Sequence, residues 1–333
     1  MKTAVIGSGS WGTALAQVLA DNGQEVTVYG IEQEQIDDIN NNHENSRFFP
    51  GVRLNPAVKA TTDLDVVKDA DVIVMAVPSA AIASLAEKIS PLMKDDTIVV
   101  NVAKGFAPGT NERMSDAIRH SIAPEKLSSV VSLIGPSHAE EVVERQLTSI
   151  DAVSQKEEDA RKVQELFSND YMRIYTGTDE VGSELGAAVK NVMAIASGIL
   201  AGLGYKDNTR AALITRGLQE MIRFGTHFGG QPQTFIGLTG IGDLIVTCSS
   251  ENSRNFSAGK IIGWENSVDR FLRDNTKTVE GIRTAKIVHE LAEQNHIDMP
   301  ICEEVYQILY EGKEPSACAS DLMLRELKSE FQS

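Results

Sequence analysis

Three observations predict an α/β protein in which a doubly wound, mostly parallel sheet is followed by an all-α domain. Short β-branched runs alternate with helix-like segments through the first half of the chain. One of those runs, Val72-Ile73-Val74-Met75-Ala76-Val77, is apolar throughout, the pattern of a central parallel strand covered on both faces. After Thr176 the strand-like runs stop, and segments with apolar residues three and four apart take their place.

In chain order, strands are expected at residues 3–6, 25–29, 72–77, 97–102, 129–133, 148–152 and 173–176, and helices in the second half at 181–203, 209–228, 284–294 and 301–310. The change of pattern near residues 177–180 sets two domains, 1–178 and 179–333; Gly177 and Asp179 suit a turn there, and Asp179 or Ser183 would cap the helix that follows. A length of 333 residues also favours two cores over one. The charged stretch 268–276 reads as a solvated surface segment.

Composition narrows the function. With 42% hydrophobic and 23% charged residues the chain is that of a globular protein. Its 31 Lys and Arg against 47 Asp and Glu leave −16, which repels nucleic acid and anionic membrane surfaces in the absence of a local basic cluster. Anionic small molecules remain allowed, since a pocket needs only a few well-placed cations or backbone N–H groups. Cys248, Cys302 and Cys318 are widely spaced and include no C-x-x-C, so neither a disulfide framework nor a metal site is expected. Met1-Lys2 leads directly into Thr3-Ala4-Val5-Ile6 with no apolar signal core, and a cytoplasmic location is expected. The apolar stretch 192–203 is interrupted by Ser197, Gly198 and Gly202 and reads as too short for a membrane span, so no integral membrane association is expected.

Gly7-Ser8-Gly9-Ser10-Trp11-Gly12 is a G-x-G-x-x-G turn directly after the first strand, and it opens an apolar helix that ends at Asn22-Gly23. In that setting Gly7 makes the tight turn, Gly9 lets the backbone approach a pyrophosphate, and Gly12 lets helix and strand pack closely. The turn predicts a Rossmann-like domain that binds a dinucleotide, against the alternative of a glycine turn that binds nothing. In such domains an acidic residue at the end of the second strand reads the ribose hydroxyls; here Gly30 and Ile31 occupy that end and Glu32 follows. Gly30 leaves room for a 2′-phosphate, yet Glu32 would repel one. NAD(H) is therefore the expected cofactor, with NADP(H) as the alternative. Glu32 reads equally as a ribose contact and as a solvated acid at a helix start.

Several residues stand where chemistry is expected. Val77-Pro78-Ser79 and Ala103-Lys104-Gly105 follow strands at the edge of the ligand crevice, making Lys104 either a substrate contact or a solvated lysine. Gly135-Pro136-Ser137-His138-Ala139 follows another strand; Ser137 offers a hydroxyl, and His138 reads better as a helix-start residue than as a base. Lys190-Asn191 lies in a small-residue helix between Gly186 and Gly198. Burial there would disfavour the charged ammonium, which suits a proton donor to a carbonyl, although a snorkelling lysine has the same spacing. Gly240-Ile241-Gly242-Asp243 supplies a carboxylate, and Ser253-Arg254-Asn255 supplies an arginine fork suited to a phosphate. Each of these, like Val279-Glu280-Gly281, also reads as an ordinary loop contact.

Taken in order, these blocks, with Leu213-Ile214-Thr215-Arg216-Gly217, resemble the bacterial NAD(P)-dependent glycerol-3-phosphate dehydrogenases nearly end to end. The resemblance implies reversible hydride transfer between a nicotinamide and C2 of dihydroxyacetone phosphate, giving sn-glycerol 3-phosphate for glycerophospholipid synthesis. It implies Lys190 as the general acid/base, and Lys104, Gly135, Ser137, Lys190, Asp243, Ser253, Arg254 and Asn255 as substrate-binding residues. Cofactor contacts implied in the same way are Gly7, Gly9, Ser10, Trp11, Gly12, Phe48, Lys104, Ala139, Arg254, Thr278 and Glu280. A homodimer through the helical half is the assembly the family suggests. Ile31-Glu32 departs from the family, whose members commonly carry Arg or His just after the second strand. On the residues alone two other readings stay open. One is an enzyme of the same fold acting on a different 2- or 3-hydroxy acid, since arginine grips carboxylates as well as phosphates. The other is a dinucleotide sensor in which Lys190 and Asp243 have no chemical role.

Overall fold

The structure, a computed structural model, describes residues 1–275, 278–327 and 329–330. The chain divides into two compact units, Met1–Ala187 with Phe228–Asp243, and Ala188–His227 with Leu244–Ser333.

The first unit runs β1 (Lys2–Ile6), α1 (Ser10–Asp21), β2 (Glu25–Tyr29), α2 (Gln33–Asp37), β3 (Lys59–Thr61), β4 (Val72–Met75), α3 (Ile82–Ile89), β5 (Thr97–Asn101), α4 (Met114–Ser121), β6 (Leu127–Ile134), α5 (Ala139–Val143), β7 (Thr148–Val153), α6 (Glu157–Phe167) and β8 (Met172–Gly177). The sheet order is β3-β2-β1-β4-β5-β6-β7-β8, and every neighbouring pair is parallel except β6 and β7. Strand alternation sorts the core into two layers. Val5, Val28, Val74 and Val100 face a layer completed by α1, α5 and α6, whereas Ala4, Ile6, Ile73, Met75 and Val99 face one completed by α3 and α4. The doubly wound sheet expected from the sequence is therefore observed. The chain reverses its direction of travel across the sheet between β1 and β4, the switch point where ligands enter such folds.

β3 is absent from the sequence-based strands because a three-residue edge strand carries too little alternation to stand out. Its place is fixed by the Asn40 side chain, which donates to the Ala60 carbonyl and accepts from the Ala60 amide, both at 2.9 Å.

The helix α7 (Glu180–Gly202) starts in the first unit and continues into the second. Asp179 caps it by accepting from the Gly182 amide at 2.9 Å, and Ser183 is a buried residue of the first turn. There follow α8 (Asp207–His227), α9 (Pro232–Phe235), α10 (Asp243–Ser249), α11 (Arg254–Glu265), α12 (Asp269–Asp274), α13 (Glu280–Gln294), α14 (Pro300–Glu311) and α15 (Pro315–Met323). Two expectations are corrected here. The segment at 268–276 is not merely a solvated surface stretch, because α12 forms within it and buries Val268 and Phe271 while its charges stay outside; Thr276 lies outside the described residues. Nor is the apolar run too short for a span: by length and composition α7 would suffice to cross a membrane, but 83% of its most apolar window is buried inside the protein.

Gly198 and Gly202 interrupt that run for a packing reason. On α7 they face α11 so closely that a Cβ would meet the carbonyl oxygens of Phe256 and Lys260 at 2.1 and 2.2 Å. Gly259 and Gly263 of α11 reciprocate against Ile195 and Ile199, both at 2.1 Å. Glycines four apart on both helices let the two backbones touch.

Candidate active site

β1 enters Gly7 at φ +119, and the Gly7 amide donates to the Tyr29 carbonyl at 2.9 Å. A Cβ on Gly7 would meet the Ala76 oxygen at 2.4 Å, just past β4, and one on Gly12 would meet the Gly7 oxygen at 2.0 Å. Gly9 differs: a Cβ there meets nothing within 4 Å, so open space lies before the N-terminus of α1. No side chain caps that terminus, which leaves the first amides, those of Ser10, Trp11 and Gly12, directed at the opening. A cradle of this shape and polarity fits a dinucleotide pyrophosphate.

The sequence did not announce what holds the turn. The Ser8 carbonyl accepts from Gln35 Nε2 at 2.6 Å and Asn45 Nδ2 at 3.0 Å, and Ser8 Oγ donates to Gln35 Oε1 at 2.6 Å. Asn45 Nδ2 also donates to Thr13 Oγ1 at 2.8 Å. All four side chains are buried, so the network fixes the turn through bonds water cannot compete for. Gly30 is demanded by the same cluster, since a Cβ would lie 2.3 Å from Ser8 Oγ. Beyond it Ile31 is 82% exposed, and Glu32 pairs with Arg47 at 2.8 Å. The Arg47 guanidinium lies 5.8 Å from the centroid of the exposed Phe48 ring.

Further along the carboxyl edge of the sheet, Lys104 follows β5 and reaches two acceptors, Asp243 Oδ2 at 2.9 Å and the Gly135 carbonyl at 3.3 Å. Ser137 Oγ donates to the same carbonyl at 3.1 Å. Four sequence-derived candidates, Lys104, Gly135, Ser137 and Asp243, thus form one polar cluster within the first unit. His138 occupies the N-cap position of α5, and Ala139 begins that helix. Asp243 is 1% exposed and is delivered by the wide turn Leu238–Gly242, in which a Cβ on Gly240 would meet the Phe235 oxygen at 2.0 Å. Asp151, which sequence reasoning passed over, accepts from the Thr239 amide in that turn, and burial pushes its carboxyl up to about 6.

In the second unit Lys190 is 3% exposed among the Ala, Val, Ile and Met side chains of α7, and its Nζ donates to Thr247 Oγ1 at 2.7 Å. Asn191 beside it accepts from Asn255 Nδ2 at 3.0 Å, and Asn255 Oδ1 accepts from the Gly281 amide at 2.9 Å. This chain of bonds ties α7, α11 and the start of α13 together. Ser253 caps α11 by accepting from the Phe256 amide at 3.2 Å. Arg254 is exposed at the first position of that helix and donates to the Thr278 carbonyl at 3.1 Å; Glu280 opens α13. Thr247 is the residue missed here, because inside Leu244-Ile245-Val246-Thr247-Cys248 a threonine reads as one more β-branched packing side chain.

Comparison with known proteins identifies the family. Residues 2–160 match the model of the NAD-dependent glycerol-3-phosphate dehydrogenase N-terminus, and residues 179–320 match that of its C-terminus. A glycerol-3-phosphate dehydrogenase [NAD(P)+] from Enterococcus faecalis is 47% identical over 330 residues, covering 99% of this chain and 97% of the relative. One from Lactobacillus helveticus is 45% identical over 337 residues, covering 99% of each. Among solved structures, glycerol-3-phosphate dehydrogenase from Coxiella burnetii superposes with a TM-score of 0.88 at 34% identity, over 97% of this chain and 99% of that one. With both halves of the family matched in order and relatives aligned over almost the whole length, the chain belongs to the NAD-dependent glycerol-3-phosphate dehydrogenase family of oxidoreductases.

Proposed function

We propose that this enzyme reduces dihydroxyacetone phosphate to sn-glycerol 3-phosphate, reversibly, in service of glycerophospholipid synthesis in the cytoplasm, with Lys190 as the general acid/base. When bound, the reduced nicotinamide supplies the hydride that adds to C2 of the ketone. The π electrons of the carbonyl then move to its oxygen, which needs a proton; in the reverse direction the hydroxyl must lose one.

The observation that carries this reading is the placement of Lys190. Removing an amine from water costs free energy, and packing alone would be served better by Leu or Met at that position. The side chain is nonetheless buried, and its tip is held by the Thr247 hydroxyl at 2.7 Å. A proton held at Nζ in a fixed direction is what transfer to a developing alkoxide requires. Arg254 offers a planar fork to the substrate phosphate, with Ser253 and Asn255 fixing the start of α11 beneath it. Lys104, set by Asp243 and the Gly135 carbonyl, adds a directed positive charge, and Ser137 a hydroxyl. The glycine turn and the first amides of α1 hold the pyrophosphate.

Replacing Lys190 with Ala tests the assignment. Turnover should fall by about 10²–10⁴ while NADH affinity, read by nicotinamide fluorescence, stays within about twofold. Near-normal turnover would refute the role.

A further inference from the structure

The end of β2 carries no cation in sequence, yet the fold places one there. Asn45, fully buried and bonded to the Ser8 carbonyl and to Thr13, anchors the segment after α2 onto the glycine turn itself. Its own carbonyl accepts from the amides of Phe48 and Phe49 at 3.0 and 2.8 Å, and Phe49 is buried in the core. Two residues from this anchor, Arg47 projects outward and meets Glu32 at 2.8 Å, with both side chains more than half exposed. A carboxylate and a guanidinium therefore stand side by side where a Rossmann-like domain reads the 2′ position of the adenosine ribose.

We propose that Glu32 and Arg47 together are the reader of that position, Glu32 accepting from a 2′-hydroxyl and Arg47 turning from Glu32 to a 2′-phosphate. The inference rests on the NAD(P) reading above and deepens it. An exposed ion pair is held weakly, so a phosphate dianion, which takes a guanidinium through two hydrogen bonds, displaces the carboxylate readily. The phosphate still meets the negative charge of Glu32, and the two effects oppose each other. The pair thus admits both cofactors, with a ratio set by two opposing charges and not by a residue at position 31.

The test uses the intact protein and two probes that carry no nicotinamide, ADP-ribose and 2′-phospho-ADP-ribose, titrated calorimetrically. Glu32→Gln should tighten the 2′-phosphorylated probe by about tenfold and weaken ADP-ribose by a few-fold. Arg47→Leu should weaken the 2′-phosphorylated probe by about tenfold and leave ADP-ribose within about twofold. An unmoved ratio of the two affinities in both variants overturns the assignment of this pair while leaving the cofactor reading intact. Failure of both probes to bind the parent protein overturns the cofactor reading and this inference with it.

Discussion

At the scale of single residues, a buried lysine requires a polar partner at its tip, and Thr247 supplies one to Lys190 at 2.7 Å. If that hydroxyl aims the proton, Thr247→Val keeps the shape and removes the aim. The variant should lose about tenfold or more in kcat, with its pH–rate profile displaced and cofactor affinity preserved; an unchanged profile and kcat would confine Thr247 to packing. Lys190 was legible in the sequence because it is the one cation between Gly186 and Gly198. Thr247, Asp151 and the Gln35–Asn45 anchor were not, since each matters through a partner distant in the chain and resembles a common surface or core residue when read alone. The same holds for Arg47, whose proximity to Glu32 is created only when Asn45 docks on the glycine turn.

At the scale of elements, the contact of α7 with α11 is set by glycines, and it fixes the Asn191–Asn255 bond beside Lys190. Gly198→Ala would drive a Cβ into the Phe256 carbonyl and force the helices apart, which should cost about 2–3 kcal/mol and lower the melting temperature. Retention of full stability would show that the helices have room to spare. The sequence made these glycines visible but pointed only to an interruption, because close approach is a property of two helices and the partner glycines are some 60 residues away.

α14 offers a second test. Its first amides, those of Ile301 and Cys302, donate to the buried Glu220 at 2.7 and 3.2 Å, and burial pushes that carboxyl from its usual 4.5 up to about 7. Between those two values the folded state holds a proton that the unfolded state has released, so stability falls as pH rises through the window. The decline should be on the order of 3 kcal/mol, and Glu220→Gln should flatten it in thermal melts taken from about pH 5 to 8. A decline of the same size in the variant would place its origin elsewhere.

At the scale of the whole molecule, a chain with net charge −16 would, on the proposed function, take its anionic ligands through local devices: the first amides of α1, which no side chain caps, Lys104 paired with Asp243, and Arg254 at the start of α11. The sheet, its two covering layers and the helical second half were legible, since apolar periodicity is a local signal repeated many times. The return of residues 228–243 to the first unit was not, because it depends on where a loop and a short helix dock and not on any pattern within them. The central claim is that these devices serve reduction of a phosphorylated ketone. It is tested most directly by following reduced-nicotinamide absorbance with the intact protein, dihydroxyacetone phosphate, and NADH or NADPH in parallel. Oxidation of both cofactors, abolished in Lys190→Ala, is the expected result. Binding of both cofactors with consumption of neither would contradict it.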